Sequence, residues 1–257
     1  MARKSLRQRA LAGETLLGSM VFEFFSPGIA QILKVAGCEY AIYDMEHAAV
    51  GFETIKEQVS YCRGIGITPM ARVPASAYQY LARALDVGCE GVMIPMVDGV
   101  AQARQICEAT RYPPVGRRGA AFGFAHDGYL PGTPADKMKA ANANNLVIAQ
   151  IETERGLAEV EQIAALDGID VLWVGHFDLS NFLGIPGEFD HPKFTSAIDR
   201  IVKAAKSNKK GLGYMAASAP LAKDWHKLGF NMIAAGTDQG LLIQGVKGVL
   251  AGVGGKA

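Results

Sequence analysis

Cysteine and tryptophan are scarce in this chain, neither sign of charge is in excess, and no long apolar run occurs. Each shortage removes a class of answer. The four cysteines, Cys38, Cys62, Cys89 and Cys107, are scattered over 257 residues with no C-x-x-C pair, which excludes a disulfide-stapled scaffold or a cysteine-rich zinc module. Three of them sit beside apolar residues and read as reduced core thiols of a cytoplasmic protein. Lys and Arg number 26 against 25 Asp and Glu, a net charge of +1, so the chain offers no field for nucleic acid or an acidic membrane surface. The basic opening "MARKSLRQR" reads as a solvated helix end. No apolar stretch follows it as in a secretion signal, and none approaches the roughly 20 residues of a membrane span. The expectation is a soluble, unexported protein with no nucleic-acid or membrane partner.

What is present is rhythm. The chain is 49% hydrophobic with 30 Gly and 11 Pro, enough to bury a sizeable core. Short apolar runs recur, each followed by a polar turn and an amphipathic segment that ends near Gly. The runs are "LLGSMVF" (16 to 22), "YAIY" (40 to 43), "TPMARV" (68 to 73), "GVMIPMV" (91 to 97), "LVIAQIE" (146 to 152), "VLWVG" (171 to 175), "GLGYMA" (211 to 216) and "NMIAAG" (231 to 236). Between them, segments such as "FETIKEQVSYCRG" and "PKFTSAIDRIVKAAK" carry apolar residues at helical spacing. Strands alternating with helices imply parallel pairing through crossovers, and eight such units predict a TIM (β/α)8 barrel of the α/β class. A doubly wound open sheet is the other architecture, but no G-x-G-x-x-G opens any helix. One stretch, from about 112 to 145, breaks the rhythm and is rich in turn residues. It reads as a long functional loop, a lid or acceptor-side wall, within a single barrel domain over residues 1–257, because the rhythm resumes unchanged after it.

In a barrel, chemistry belongs where strands end and the following loops begin. Those positions hold Glu23, then Asp44, Glu46 and His47, then Arg72, Asp98, Glu152, His176 with Asp178, Ser218, and Thr237 with Asp238. Loops are wet, so polar residues there are unremarkable. Polar groups embedded in the last apolar turn itself, as in "PMARVP" and "VIAQIET", are not. Glu152 and Asp178 follow consecutive buried runs, and neighbouring strands lie only about 4.8 Å apart. Carboxylates held that close repel unless a cation lies between them, and two oxygen ligands with open positions suit Mg²⁺ or Mn²⁺. A glycosidase acid and nucleophile pair is another reading, but Trp173 and Trp225 are the only tryptophans to offer a sugar platform. Arg72, inside an apolar strand, needs an anionic partner. A metal, an arginine and a histidine together describe a site that stabilises an enolate: the metal chelates a 2-oxo acid, Arg72 balances charge on its oxygen, and His47 moves a proton.

Six stretches, in order from about Gly18 to about Gly240, carry a resemblance. They are "DMEHA", "ARV", "LDVGCEGVMIPMVD", "ATRYPPVGRRG", "QIET" and "VGHFDLS". Together they resemble the metal-dependent (class II) pyruvate aldolases of the HpcH/HpaI aldolase and citrate lyase superfamily. The resemblance implies a TIM barrel that assembles as a hexamer and reversibly cleaves 4-hydroxy-2-oxo acids to pyruvate and an aldehyde through a metal-stabilised enolate. It implies that Glu152 and Asp178 hold a divalent ion (Mg²⁺, Mn²⁺ or Co²⁺), and that Arg72 steadies the enolate. His47 would transfer protons with Asp44 orienting it. Asp86 matches an acid that reaches the site from an adjoining subunit. Gln150 and Gly175 match positions lining the pyruvate pocket, where backbone N–H groups at Phe177 and Asp178 cradle the carboxylate. Glu46 is left to the turn or to an interface.

Two departures stand out. Gly175-His176 stands where many members have Gly-Pro, placing a titratable ring at the substrate site. After "RRG" the chain reads "AAFGFAHDGYLPG", with Phe122, Phe124 and Tyr129 in place of a Ser- and Arg-bearing loop, which points to a less charged, bulkier acceptor than an acidic aldehyde. An acyl-CoA lyase of the malyl or citryl type and a catalytically decayed barrel that only binds are the alternative functions.

Overall fold

The computed structural model describes residues 4–254, so the first three residues of the basic opening stretch lie outside the description. Eight parallel strands close into a barrel in chain order. They are β1 (Leu16–Val21), β2 (Tyr40–Asp44), β3 (Thr68–Arg72), β4 (Gly91–Ile94), β5 (Leu146–Ile151), β6 (Val171–Val174), β7 (Gly211–Ala216) and β8 (Met232–Thr237). The eight apolar runs of the sequence are these strands, differing only at the ends. β4 stops at Ile94, where Pro95 follows and has no N–H for the ladder.

The period of two along each strand sorts the side chains into two cores. Leu16, Met20, Tyr40, Ile42, Met70, Met93, Leu146, Ile148, Val171, Trp173 and Met232 fill the inside of the barrel. Alternate residues such as Ala41, Tyr43, Ala71, Val92, Val147 and Leu172 pack outward against the helices. Carried one step further toward the C-terminal ends, the inside phase arrives at Asp44 on β2, Arg72 on β3, Gln150 on β5 and Glu152 just past its end. The uppermost inside layer is therefore polar where every layer beneath it is apolar. The opposite end is closed by the helix Leu6–Leu11, started by a capping box between Ser5 and Gln8, whose Leu6 and Ala10 join the inside core.

The segment from 112 to 145 is not all loop. Its first half wraps irregularly with a 3-10 turn at Ala125–Asp127, but its second half is the helix Pro134–Asn144, capped by Thr133 with Pro134 in its first turn. The Thr-Pro start was present in the sequence; the Gly and Asn around it masked it. The helix Asp238–Ala251 also departs from its apolar pattern: only Asp238 is buried, while Leu242, Ile243 and Val249 stand exposed, as does Leu17 on β1. Among the described residues no helix is long and apolar enough to cross a membrane. The four cysteines are unpaired, and burial pushes the Cys62 and Cys107 thiols up to about 11, which keeps them protonated.

Candidate active site

A cavity of about 230 Å³ opens at the C-terminal ends of the strands. His47, Arg72, Gln150, Gly175, His176, Phe177 and Asp178 line it, together with Met20, Phe22, Trp173, Val174, Met215 and Thr237. Seven of the residues singled out in the sequence thus share one wall. Two more, Asp44 and Glu152, sit immediately behind it, each fully buried and tied to a lining side chain.

Arg72 is the centre of one tie. Its Nε donates to Asp44 Oδ1 at 2.5 Å and its Nη1 lies 3.1 Å from Glu46 Oε2. Its Nη2 is buried with no partner, and an unpaired guanidinium N–H on a residue that lines the cavity is a ready contact for an anion. Asp44 spends its second oxygen on the backbone: Oδ2 accepts the His47 N–H at 2.8 Å, and Oδ1 also accepts the Glu46 N–H at 3.3 Å. Asp44 therefore fixes the turn that carries His47 and does not touch its imidazole. The ring is exposed and lies 3.7 Å from Glu46 Oε2. Glu46, left in the sequence to the turn or to an interface, is the second acid on Arg72. The apolar neighbours in "DMEHAAV" concealed this, since the carboxylate leaves the turn and folds back over β3.

Glu152 is the centre of the other tie. Oε1 accepts the Met96 N–H at 2.6 Å, and Oε2 accepts from Gln150 Nε2. The Met96 N–H is aimed by a left-handed backbone, φ 53°, unusual for a non-glycine residue and a mark of strain held at a site. Gly175 is required between β6 and the helix His176–Phe182: a Cβ there would collide with Glu152 Oε2 and lie 2.9 Å from Gln150 Nε2. Burial pushes the Glu152 carboxyl above its ordinary range; the Met96 and Gln150 donors pull against it, while the charges of Glu46 and Asp178 add to it. Glu46 is likewise raised by burial, opposed by Arg72 and reinforced by Asp44 and Asp178. Asp178 is not a strand-end residue as the sequence suggested. It lies in the first turn of the helix His176–Phe182, whose N-terminus has no side-chain cap, leaving backbone N–H groups there unspent by the helix.

The donor set fits a divalent ion. Glu46, Glu152 and Asp178 repel one another in a desolvated corner, and Gln150 Oε1 is buried without a partner. A cation reverses the sign of each of those costs. Among the described residues no three His, Cys, Asp or Glu side chains converge on one metal position. The fit is therefore to an open set of carboxylate oxygens, not to a closed structural site.

His176 lies with its ring 4.4 Å from Phe177, 5.0 Å from Tyr214 and 5.3 Å from Phe189. Burial in that aromatic nest lowers it to about 4, against a weaker opposite pull from Asp178, so it is a neutral ring at neutral pH. Asp86 is the predicted residue that its own chain keeps away. It ends the helix Tyr78–Asp86, pairs with Arg118 Nη2 at 2.6 Å, and lines a separate cavity with Lys56, Arg83, Phe124 and His126. The irregular half of the 112 to 145 segment lies there too, so it forms no wall of this chain's site cavity.

Comparison with known proteins agrees with this geometry. Residues 19–245 match the sequence model described as HpcH/HpaI aldolase/citrate lyase. The chain is 34% identical over 216 residues, 84% of its length and 84% of the other's, to 5-keto-4-deoxy-D-glucarate aldolase of Enterobacter sp. (strain 638). Among solved structures, an HpcH/HpaI aldolase from Desulfitobacterium hafniense DCB-2 superposes with a TM-score of 0.88 at 30% identity, covering 96% of this chain and 97% of that one. A family protein from Burkholderia cenocepacia J2315 gives 0.89 at 31%, covering 96% and 98%. The barrel, the polar layer at its C-terminal end and these matches over most of the chain place the protein in the HpcH/HpaI aldolase/citrate lyase family.

Proposed function

We propose that the protein is a divalent-metal-dependent pyruvate aldolase, cleaving 4-hydroxy-2-oxo acids reversibly to pyruvate and an aldehyde. The observation that carries this reading is the pairing, across one cavity, of an arginine with an open Nη2 edge and a buried carboxylate corner in need of a cation. The relatives named as 5-keto-4-deoxy-D-glucarate aldolases support the same reaction class. Glu152 and Asp178 would hold the ion, which supplies Lewis-acid stabilisation of negative charge at the 2-oxo group.

The chain's own groups supply the rest. Asp44 and Glu46 hold the Arg72 guanidinium flat and leave Nη2 toward the enolate oxygen. Gln150 and the backbone N–H groups of Phe177 and Asp178 receive the pyruvate carboxylate. His47, the exposed base at the cavity rim, moves the proton of the aldehyde-side hydroxyl. Mg²⁺, Mn²⁺ and Co²⁺ all suit two carboxylate ligands.

The same reading extends to assembly as a homo-oligomer, a hexamer by resemblance. The apolar residues of the helix Asp238–Ala251 are exposed in one chain, and a second copy would cover them. Asp86 would then act at a neighbouring subunit's site. The test is to strip the protein with EDTA and follow pyruvate release from a 4-hydroxy-2-oxo acid. Activity is expected to vanish and to return with Mn²⁺, Mg²⁺ or Co²⁺; full activity after chelation overturns the proposal.

A further inference from the structure

We propose that Asp238 is a positioning residue of this site: it clamps the backbone that follows β1 and, through Phe22, sets the plane of the Arg72 guanidinium, a role that rests on the aldolase reading above for what Arg72 does. Asp238 does not itself line the cavity.

The clamp starts from a bulge. Between Gly18 and Met20 of β1 the partner strand β8 runs from Ala234 to Thr237, one residue more, and Gly236 takes the extra step at φ 66°. A bulge of this kind re-aims the side chains beyond it. Asp238, the first residue of the helix Asp238–Ala251, is buried there, but it is not the cap of its own helix; Thr237 Oγ1 takes that part by accepting the Gly240 N–H at 3.3 Å. The Asp238 carboxylate reaches across to β1 instead. Oδ1 accepts the Phe22 N–H at 2.9 Å, and Oδ2 accepts the Glu23 and Phe24 N–H groups at 3.1 and 2.7 Å. Three consecutive backbone donors on one carboxylate hold the end of β1 in a single turn.

The first of those donors belongs to a residue of the cavity wall. The Phe22 ring covers the face of Arg72, 5.1 Å from ring centroid to Cζ. Asp44 holds that guanidinium through Nε and Glu46 approaches Nη1, and hydrogen bonds to a guanidinium lie along its edge, which leaves the faces bare. A ring against one face is what stops the plane from rocking. Rocking would swing Nη2, the group left for the enolate oxygen, out of aim. Beyond Phe24 the chain is held by other means: Gln58 Nε2 donates to the Phe25 carbonyl at 2.8 Å, and the Phe25 ring lies 6.2 Å from that of Tyr43. Loss of the Asp238 carboxylate therefore loosens the start of this loop, which faces the cavity, and leaves the rest in place.

The experiment uses the full chain with Mn²⁺ and reads deuterium exchange into the pyruvate methyl group, which needs the enolate and no aldehyde. Asp238→Asn presents an NH₂ where backbone donors require an oxygen. The kcat for exchange is expected to fall about tenfold, with the pyruvate KM and the Mn²⁺ Kd within about twofold of wild type, because the enolate and not the bound ground state loses its contact. A general loosening of the fold would move all three. Backbone amide exchange over residues 22–24 of the metal-free protein is expected to quicken about tenfold or more, a readout independent of catalysis. Asp238→Glu keeps the carboxylate but moves it by one methylene; it gives the same split more weakly and decides the matter should the asparagine variant not fold. Phe22→Ala, at a half-buried position, is expected to reproduce the loss of kcat, and the double variant to be no slower than the slower single one. With wild type exchanging normally, an unchanged kcat in the Asp238 or Phe22 variants, or losses that multiply in the double variant, overturns the role of Asp238 alone. No exchange by wild type with Mn²⁺, Mg²⁺ or Co²⁺ overturns the aldolase reading itself, and the positioning role with it.

Discussion

Two buried arginine and carboxylate clusters sit at opposite ends of the barrel, and they are finished differently. At the N-terminal end Asp170 accepts from Arg7 Nε and Arg111 Nη2, both at 2.8 Å, and from the Val147 N–H at 2.9 Å. Arg111 spends its remaining reach on the carbonyls of Asn145 and Gly168, at 2.7 and 3.4 Å. Every charge there has a partner within the chain. At the C-terminal end Arg72 keeps Nη2 open, Gln150 keeps Oε1 open, and three acids face one another with their charges only partly offset. A closed network can only hold the fold, since nothing is left over to bind. The open one is a worse piece of stabilisation and for that reason a site.

The sharpest way to break this comparison is Glu152→Gln. If the C-terminal cluster is a site, activity falls to background and calorimetric metal binding disappears. The sign of the stability effect is the more informative part. The folded-state pKa of Glu152 is raised, so its contribution is fully present below the unfolded carboxylate pKa and is lost as pH rises through the folded value. The metal-free wild type therefore carries a penalty at neutral pH that glutamine removes. Glutamine cannot accept from both Met96 and Gln150, a loss independent of pH, so the pH dependence is the readout: the melting temperature of metal-free Glu152→Gln relative to metal-free wild type is expected to rise between pH 4 and pH 7. A difference that does not change with pH would place Glu152 in the structural class with Asp170.

Arg72→Lys tests the open edge. Lysine keeps the charge and loses the planar fork that serves Asp44, Glu46 and a substrate at once. The expected cost is about 10²- to 10³-fold in kcat/KM. A rate within a few-fold of wild type would mean that Nη2 binds nothing.

Asp170→Asn is the converse, aimed at the closed cluster. It leaves the buried Arg111 and the half-buried Arg7 without their anion and is expected to cost about 3 kcal/mol in denaturant unfolding. The kcat of the remaining folded protein should be unchanged, because nothing in that cluster faces the cavity.

The fold was legible because the barrel's periodicity is strict: eight apolar runs, a strand period of two inside each, and crossovers of helical pattern between them. The site was legible where chemistry interrupts that periodicity. Arg72 and Glu152 stand out as charges on the inside phase of buried strands, and a single sequence suffices to see it. Glu46 was not legible, because a turn residue has no phase to betray where its side chain returns. The apolar wall of Met20, Phe22 and Met215 was hidden for the opposite reason, since apolar residues at strand ends look like core. The distance of Asp86 and of the 112 to 145 segment from this chain's cavity depends on how the segment folds over the helix Tyr78–Asp86, and no local pattern encodes that. The helix Pro134–Asn144 was missed because its cap signal lies among residues that elsewhere make turns.

The smallest expected effect concerns the backbone. None of Arg7, Arg111, Asn145, Val147, Gly168 and Asp170 at the closed cluster has a positive φ, whereas Met96 at the open one holds φ 53° to deliver its N–H to Glu152. Its side chain is 39% exposed, so Met96→Gly removes little packing. Glycine adopts this conformation without the cost of order 1 kcal/mol that a side chain incurs there, but it also gains freedom in the unfolded chain. The two terms nearly cancel, and thermal unfolding is expected to move by only about a degree or two. What changes is the aim of the N–H. A looser donor holds Glu152 less well for the metal, so the metal Kd should weaken a few-fold while kcat at saturating metal stays close to wild type. Loss of kcat with an unchanged Kd would show instead that the strained turn serves the substrate, which would shift Met96 from the carboxylate corner to the reacting side of the cavity.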